Sequence, residues 1–133
     1  MSVPLGKRKP SGVQYLDTAR ELAIHTLRYT NKKFAKKDTD IIRRLRDLAL
    51  DILENVSSAN SIFVKTQKDK EMRRTCLMNA RNNLFSLSSL LSVVMEVINN
   101  EITEYGWTCW GELIDKEIKL ITGLMRSDLD VNI

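Results

Sequence analysis

His25 is the only histidine in the chain, and this bounds the metal and acid–base chemistry open to it. Glu21 lies four residues before it, and the pair occurs once. A di-metal carboxylate bundle needs Glu-x-x-His on each of two helices plus two further carboxylates, so that chemistry is excluded. Pairs of histidines for zinc, and most histidine-based proton transfer, fall with it. Glu101, Glu104, Glu112, Asp115 and Glu117 form an acidic series. Their spacing predicts a solvated face, or one meeting the basic patch of another subunit, rather than a cation site. The five glycines are scattered, so there is no phosphate-cradling loop. Ser86, Ser88, Ser89 and Ser92 sit in an apolar helical stretch, where they permit close packing and have no base beside them. Cys76 and Cys109 lack CxxC spacing and predict free thiols in a reducing compartment. No catalytic set emerges, and the expectation is a chain without enzymatic activity, cofactor or metal.

The residues that can do chemistry are the bases. The net charge of +4 conceals an uneven distribution: residues 1–37 carry nine Lys/Arg against two acids, residues 65–81 six against two, and residues 82–133 three against eight. Basic clusters at defined places suit a polyanion, with nucleic acid the first candidate. Lys32, Lys33, Lys36, Lys37, Arg43 and Arg46 form one cluster; Lys68, Lys70, Arg73, Arg74 and Arg81 form another. Contacts of this kind go to phosphates, depend steeply on salt and read little sequence. Tyr29, Phe34 and Phe63 are available to stack on bases, although anchoring of loops is the alternative use for them.

The elements that must position these clusters are helices. Residues 1–11 hold both prolines and the Lys7-Arg8-Lys9 run, and predict a flexible basic arm. They contain no apolar core of a signal peptide, which predicts a cytoplasmic protein. Ser11 is placed to cap a first helix from about Gly12 to Thr30, with Leu16, Ala19, Ala23 and Leu27 inward. Asp38 or Thr39 starts a second helix through about Ser61, with Ile41, Leu45, Leu48, Ile52, Val56 and Ala59 as its seam. On another face Arg44, Asp47 and Asp51 are spaced to satisfy one another, leaving Arg43 and Arg46 freer. The long stretch Met72–Asn100 lacks Pro and Gly. Its inner positions are Cys76, Ala80, Leu84, Leu87, Leu91, Val94 and Ile98, broadened by Leu77, Leu90, Val93 and Val97. Thr108 is placed to cap a fourth helix, with Trp107, Trp110, Ile114, Ile118, Ile121 and Met125 inward. Residues 127–133 form a short acidic tail. Four helices with short joints over 12–126 predict an all-α, antiparallel up-down-up-down bundle. Its alternate joints put the two basic clusters at opposite ends. No stretch is long and apolar enough to span a bilayer. Leu50 and Leu53, off the main stripes, are candidates for subunit contact.

Several strings go beyond composition: ENVSSANSIF (Glu54–Phe63), Arg73-Arg74 leading into NARNNLFSLSSLL, WTCWGELIDKEIKLITGLMRSD (Trp107–Asp128), and DTARELAIHTLRYTNKKF with the opening MSVP. Together they resemble the four-helix-bundle family that joins 23S rRNA intervening-sequence proteins to the accessory variability determinant (Avd) proteins of diversity-generating retroelements. The likeness is closer to the Avd side and spans about Asp17 to Asp128. It implies a barrel-shaped homopentamer with a basic exterior. It also implies binding to the element's reverse transcriptase and template RNA, or cDNA, in mutagenic retrohoming. Arg73 and Arg74 match a recurrent basic pair, and Asn60 matches a polar position that serves either function or a helix end. Ala35 departs from a proline common in similar sequences. An intervening-sequence-type bundle, or a homo-oligomeric scaffold whose bases pair with a neighbour's acidic last helix, remains the alternative.

Overall fold

The computed structural model describes residues 10–31, 39–98 and 102–130, with side chains over 14–31, 40–97 and 102–130. Four helices make up this part of the chain: α1 (Pro10–Tyr29), α2 (Thr39–Ser61), α3 (Gln67–Ile98) and α4 (Glu104–Leu129). No strand is present among the described residues. The helices form a bundle in which α1 packs on α2 and α4, and α3 packs on α2 and α4. The start of α1 meets the end of α2, where the Tyr15 hydroxyl donates to Asn60 Oδ1 at 3.4 Å. The end of α1 meets the start of α4, and the start of α3 meets the end of α4.

Capping chemistry fixes three of the helix starts. Pro10 opens α1, where its missing N–H would have had no helical partner. Ser11, expected as the cap, therefore lies inside the helix. At α3 the Thr66 hydroxyl accepts from the Asp69 amide at 3.1 Å, and Asp69 Oδ2 accepts from the amides of Lys65 and Thr66. This reciprocal box satisfies donors that the first turn leaves open, and the two amides hold the Asp69 carboxyl below its usual range. At α4 the cap is Thr103 rather than Thr108: its backbone is extended and its hydroxyl accepts from Gly106 N at 3.0 Å. The fourth helix thus starts more than a turn earlier than the sequence reading placed it. It also runs on to Leu129, so Ser127 to Leu129 are helical rather than part of a tail.

The core is a ladder of apolar side chains from all four helices. Expected members Ala19, Ala23, Leu45, Ile52, Val56, Ala59, Ala80, Leu84, Leu87, Leu91, Val94, Trp110, Ile114, Ile121 and Met125 are buried. The stripes of α1 and α2 are turned relative to expectation. Tyr15 and Leu22 are buried where Leu16 and Leu27 were expected, and Ile42 and Ala49 replace Ile41 and Leu48. On α1 the cause is visible, because Thr18, Thr26 and Thr30 are core residues. Thr26 and Thr30 donate back to the Leu22 and Thr26 carbonyls, so their hydroxyls can be buried without an external partner. On α3, Leu77 takes the place of half-buried Cys76, and Val93 and Val97 point to solvent, at 51% and 65% exposure. The broad apolar stripe of α3 is thus a buried seam plus an uncovered outer face.

Gly106 shows why α4 can sit against α1. A Cβ there would lie 2.7 Å from Tyr29 Cε1 and 2.9 Å from Ile102 Cγ2, so only glycine allows this approach. Among the described residues no helix is long and apolar enough to cross a membrane.

Candidate polyanion-binding surface

The expected basic residues separate into three situations. Lys32, Lys33, Lys36 and Lys37 lie outside the described residues, as do Phe34 and Ala35. Arg43 and Lys68 are exposed. The remaining bases are half-buried, and most are committed to neighbours. Arg46 is not free: its Nη1 donates to the carbonyls of Thr30 (2.8 Å) and Leu27 (3.3 Å) and to Thr30 Oγ1 (3.1 Å). It thereby closes the C-terminal end of α1, where carbonyls lack helical partners and the helix dipole favours a cation. Arg73 forms an ion pair with Asp128 (Nε to Oδ2 2.7 Å), with both side chains largely shielded. Lys70 Nζ donates to the Leu129 carbonyl at 3.3 Å. Arg44, Asp47 and Asp51 are all exposed, and among the described residues they form no ion pair with one another.

What α3 offers an anion is a flank rather than a cluster. At about 100° per residue, Lys70, Arg74 and Arg81 fall within roughly 40° of one another. Arg81 reaches across to α4, with Nη1 3.5 Å from Thr122 Oγ1. Lys119 and Arg126, three and four residues either side of Thr122, are exposed on that same flank of α4. The seam between α3 and α4 is therefore lined by bases from both helices, with Arg74 making no hydrogen bond or ion pair among the described residues. Asp115 lies further along it and ends the basic stretch. Lys119 and Arg126 were missed in sequence because they stand in an acid-rich segment. Their spacing around Thr122 was the available signal.

The two basic regions stand at opposite ends of α4. Arg46 is beside Thr30, near the Gly106 end, whereas Lys70 and Arg73 are at the Asp128 end. Twenty-two residues of helix separate these ends by roughly 33 Å. One subunit does not merge them into a single patch.

The aromatic side chains divide similarly. Tyr29 is packed with His25 and Trp110, at ring-centroid distances of 4.5 and 6.0 Å, so it anchors the core. Phe63 is half exposed, with Lys65 Nζ 5.3 Å from its ring centre. His25 is a boundary residue, half-buried, and its Nε2–H donates to the Gly106 carbonyl at 2.9 Å. Partial burial, followed by the nearby Arg28 charge, holds its pKa below the usual histidine value, against the pull of that hydrogen bond.

Two apolar features lie outside the core. A shallow groove of about 440 Å³ runs between α2 and α3, lined by Leu48, Phe85, Leu90 and Val93 with Arg44 at its edge. Leu50 is 39% exposed, while Leu53 is half-buried against the core. A second hollow of about 520 Å³ lies between Met95, Ile102, Glu104, Trp107 and Thr108.

The acidic series is not one solvated face. Glu104, Glu112 and Asp115 are exposed, and Glu101 lies outside the described residues. Glu117, however, is 0% exposed, and neither carboxylate oxygen has a partner. It occupies the inward position between Ile114 and Ile121, where only apolar residues were expected. Both cysteines are half-buried free thiols. No group of three or more candidate metal ligands exists among the described residues.

Compared with known proteins, the chain matches no family model, no curated protein and no solved structure.

Proposed function

We propose that this chain is a non-catalytic, cytoplasmic, nucleic-acid-binding accessory protein of a diversity-generating retroelement, of the Avd type. It holds template RNA or cDNA by phosphates and docks the reverse transcriptase. The observation that carries the binding part is the α3–α4 seam, which Lys70, Arg74 and Arg81 flank from one helix and Lys119 and Arg126 from the other. The contacts at both ends of α4 support an antiparallel up-down-up-down course. The uncovered face of α3 around Phe85, Val93 and Val97 supports assembly of several copies, as the homo-oligomeric barrel implied by the resemblance requires. The retroelement assignment itself rests on the resemblance of the sequence strings.

A second reading, a homo-oligomeric scaffold or intervening-sequence-type bundle without a nucleic-acid role, is favoured by a different observation. Arg73 already pairs with Asp128, so one base of α3 is satisfied by an acid of α4 and is not available to phosphate. The deciding experiment is RNA binding across a salt series, with light-scattering mass, for wild type and an Arg74→Ala/Arg81→Ala variant. Arg73 is left intact because its loss would strand Asp128. On the accessory-protein reading, the variant keeps its mass and binds more weakly, and its log–log salt slope is shallower by about 0.7 per lost phosphate contact. Wild type that ignores RNA at low salt would leave the scaffold reading.

A further inference from the structure

Among the described residues Glu117 is the one buried acid. Both its oxygens are shielded and unpartnered, and its neighbours along the inner face of α4 are Ile114 and Ile121. In the antiparallel arrangement, seven residues on from Trp110 and seven back from its partner Thr26 bring Glu117 level with Ala19, between Tyr15 and Leu22. None of these offers a compensating charge. On α1, Asp17, Arg20 and Glu21 face solvent; on α2, Asp51 and Glu54 do so. On α3, Arg81 is engaged with Thr122, and on α4 Asp115, Lys116 and Lys119 are exposed. A carboxylate in such a place loses its hydration and gains nothing for it, whereas the neutral acid is tolerated at a much smaller cost.

We propose that Glu117 is a proton-dependent latch on α4: neutral, it lets α4 pack into the bundle, and ionised, it drives α4 away from α1 and α3. This device does not depend on the RNA-binding reading. Burial raises the Glu117 pKa from its ordinary value to about 8, with the Lys116 charge only partly opposing. The folded form then holds a proton that the unfolded chain has released. Stability is accordingly greatest below the unfolded value near 4.5, falls as pH rises and levels off above about pH 8. The reporters are already in place, since both tryptophans are on α4 and Trp110 is packed against α1.

The test is urea unfolding of the full chain from pH 5 to 9, with tryptophan emission followed in the absence of urea, for wild type, Glu117→Gln and Glu117→Leu. The expected wild-type folding constant, relative to Glu117→Gln, falls about tenfold per pH unit up to about pH 8. His25 titrates in the lower part of this range with opposite sign, and it cancels in the difference. Emission of the wild type shifts red over the same range before global unfolding, and Glu117→Leu exceeds wild type in stability at pH 8. Should Glu117→Gln fail to fold, Glu117→Leu serves as the reference. An identical pH slope in wild type and variant overturns the proposal. So does a slope without the early red shift, because the proton would then act on the whole fold and not on α4.

Discussion

Near Gly106, α4 meets α1 through buried and half-buried polar groups that have partners, although the Trp107 Nε1 close by on α4 is buried without one. Trp110 Nε1 donates to Thr26 Oγ1 at 2.8 Å, Thr26 donates to the Leu22 carbonyl, and His25 donates to the Gly106 carbonyl. Roughly three turns further along the same helix, Glu117 is buried with no partner at all. Both stretches remove polar atoms from water. The first recovers the lost hydration with directional bonds, and so fixes the distance and rotation of α4 on α1. The second recovers nothing, and holds together because the surrounding apolar packing outweighs one stranded acid. A helix can thus be specified at one end and conditionally tolerated in the middle.

The sharpest way to break this contrast is at Trp110, which is 1% exposed and packs edge-on to His25 with ring centres 5.2 Å apart. Trp110→Ala removes the largest side chain of the well-satisfied end and leaves Thr26 Oγ1 without its donor. We expect a loss of about 3–5 kcal/mol in urea unfolding, a large fraction of the roughly 5–15 kcal/mol that holds an ordinary domain together. Next is Gly106→Ala. The added Cβ has Tyr29 carbons at 2.7 and 2.9 Å, so the ring or the helix must move. Overpacking of this kind costs about 1–3 kcal/mol. The near-ultraviolet circular dichroism of the aromatic cluster should change with it. Gly111→Ala is the control, because nothing lies within 4 Å of its Cβ position. On an exposed helix the alanine should stabilise by up to about 1 kcal/mol. If both substitutions act alike, the close approach at Gly106 does not position α4.

How much of this was legible in the sequence follows the same division. The four helices and most of the core came from apolar periodicity, because a stripe recurring every three or four residues has few other places to go. The rotation of α1 did not, since Thr26 and Thr30 count as polar until their hydroxyls are seen bonding back along the helix, and Thr18 is buried in line with them. The start of α4 was misplaced because Thr103 and Thr108 are equally good caps on paper, and only the extended backbone at Thr103 separates them. Arg46 was read as a free base because its three acceptors belong to the end of another helix. Glu117 was the deepest miss. One acid among acids reads as surface, and its position in step with Trp110, Ile114 and Ile121 was the signal that it faces inward.

The smallest expected effect is also the one that separates the two stretches by sign. His25 is half-buried, and its folded pKa lies below the unfolded value of 6.5, first through partial burial and then through Arg28. The unfolded chain therefore binds a proton more readily than the fold does. Its contribution to stability is fully present above about pH 6.5 and is lost as pH falls through the folded value. Glu117 contributes most at low pH and least above about pH 8, so the two groups tilt the same curve in opposite directions. His25→Gln should remove the loss on the acid side of about pH 6.5 and leave the Glu117-linked fall toward pH 8 untouched, as measured by the urea midpoint between pH 5 and 9. The shift should be modest, because a half-exposed imidazolium keeps part of its water and its bond to the Gly106 carbonyl. If His25→Gln instead flattened the curve on the alkaline side, the end and the middle would be coupled through α4. The contrast between a satisfied end and a tolerated middle would then have to give way to one cooperative helix.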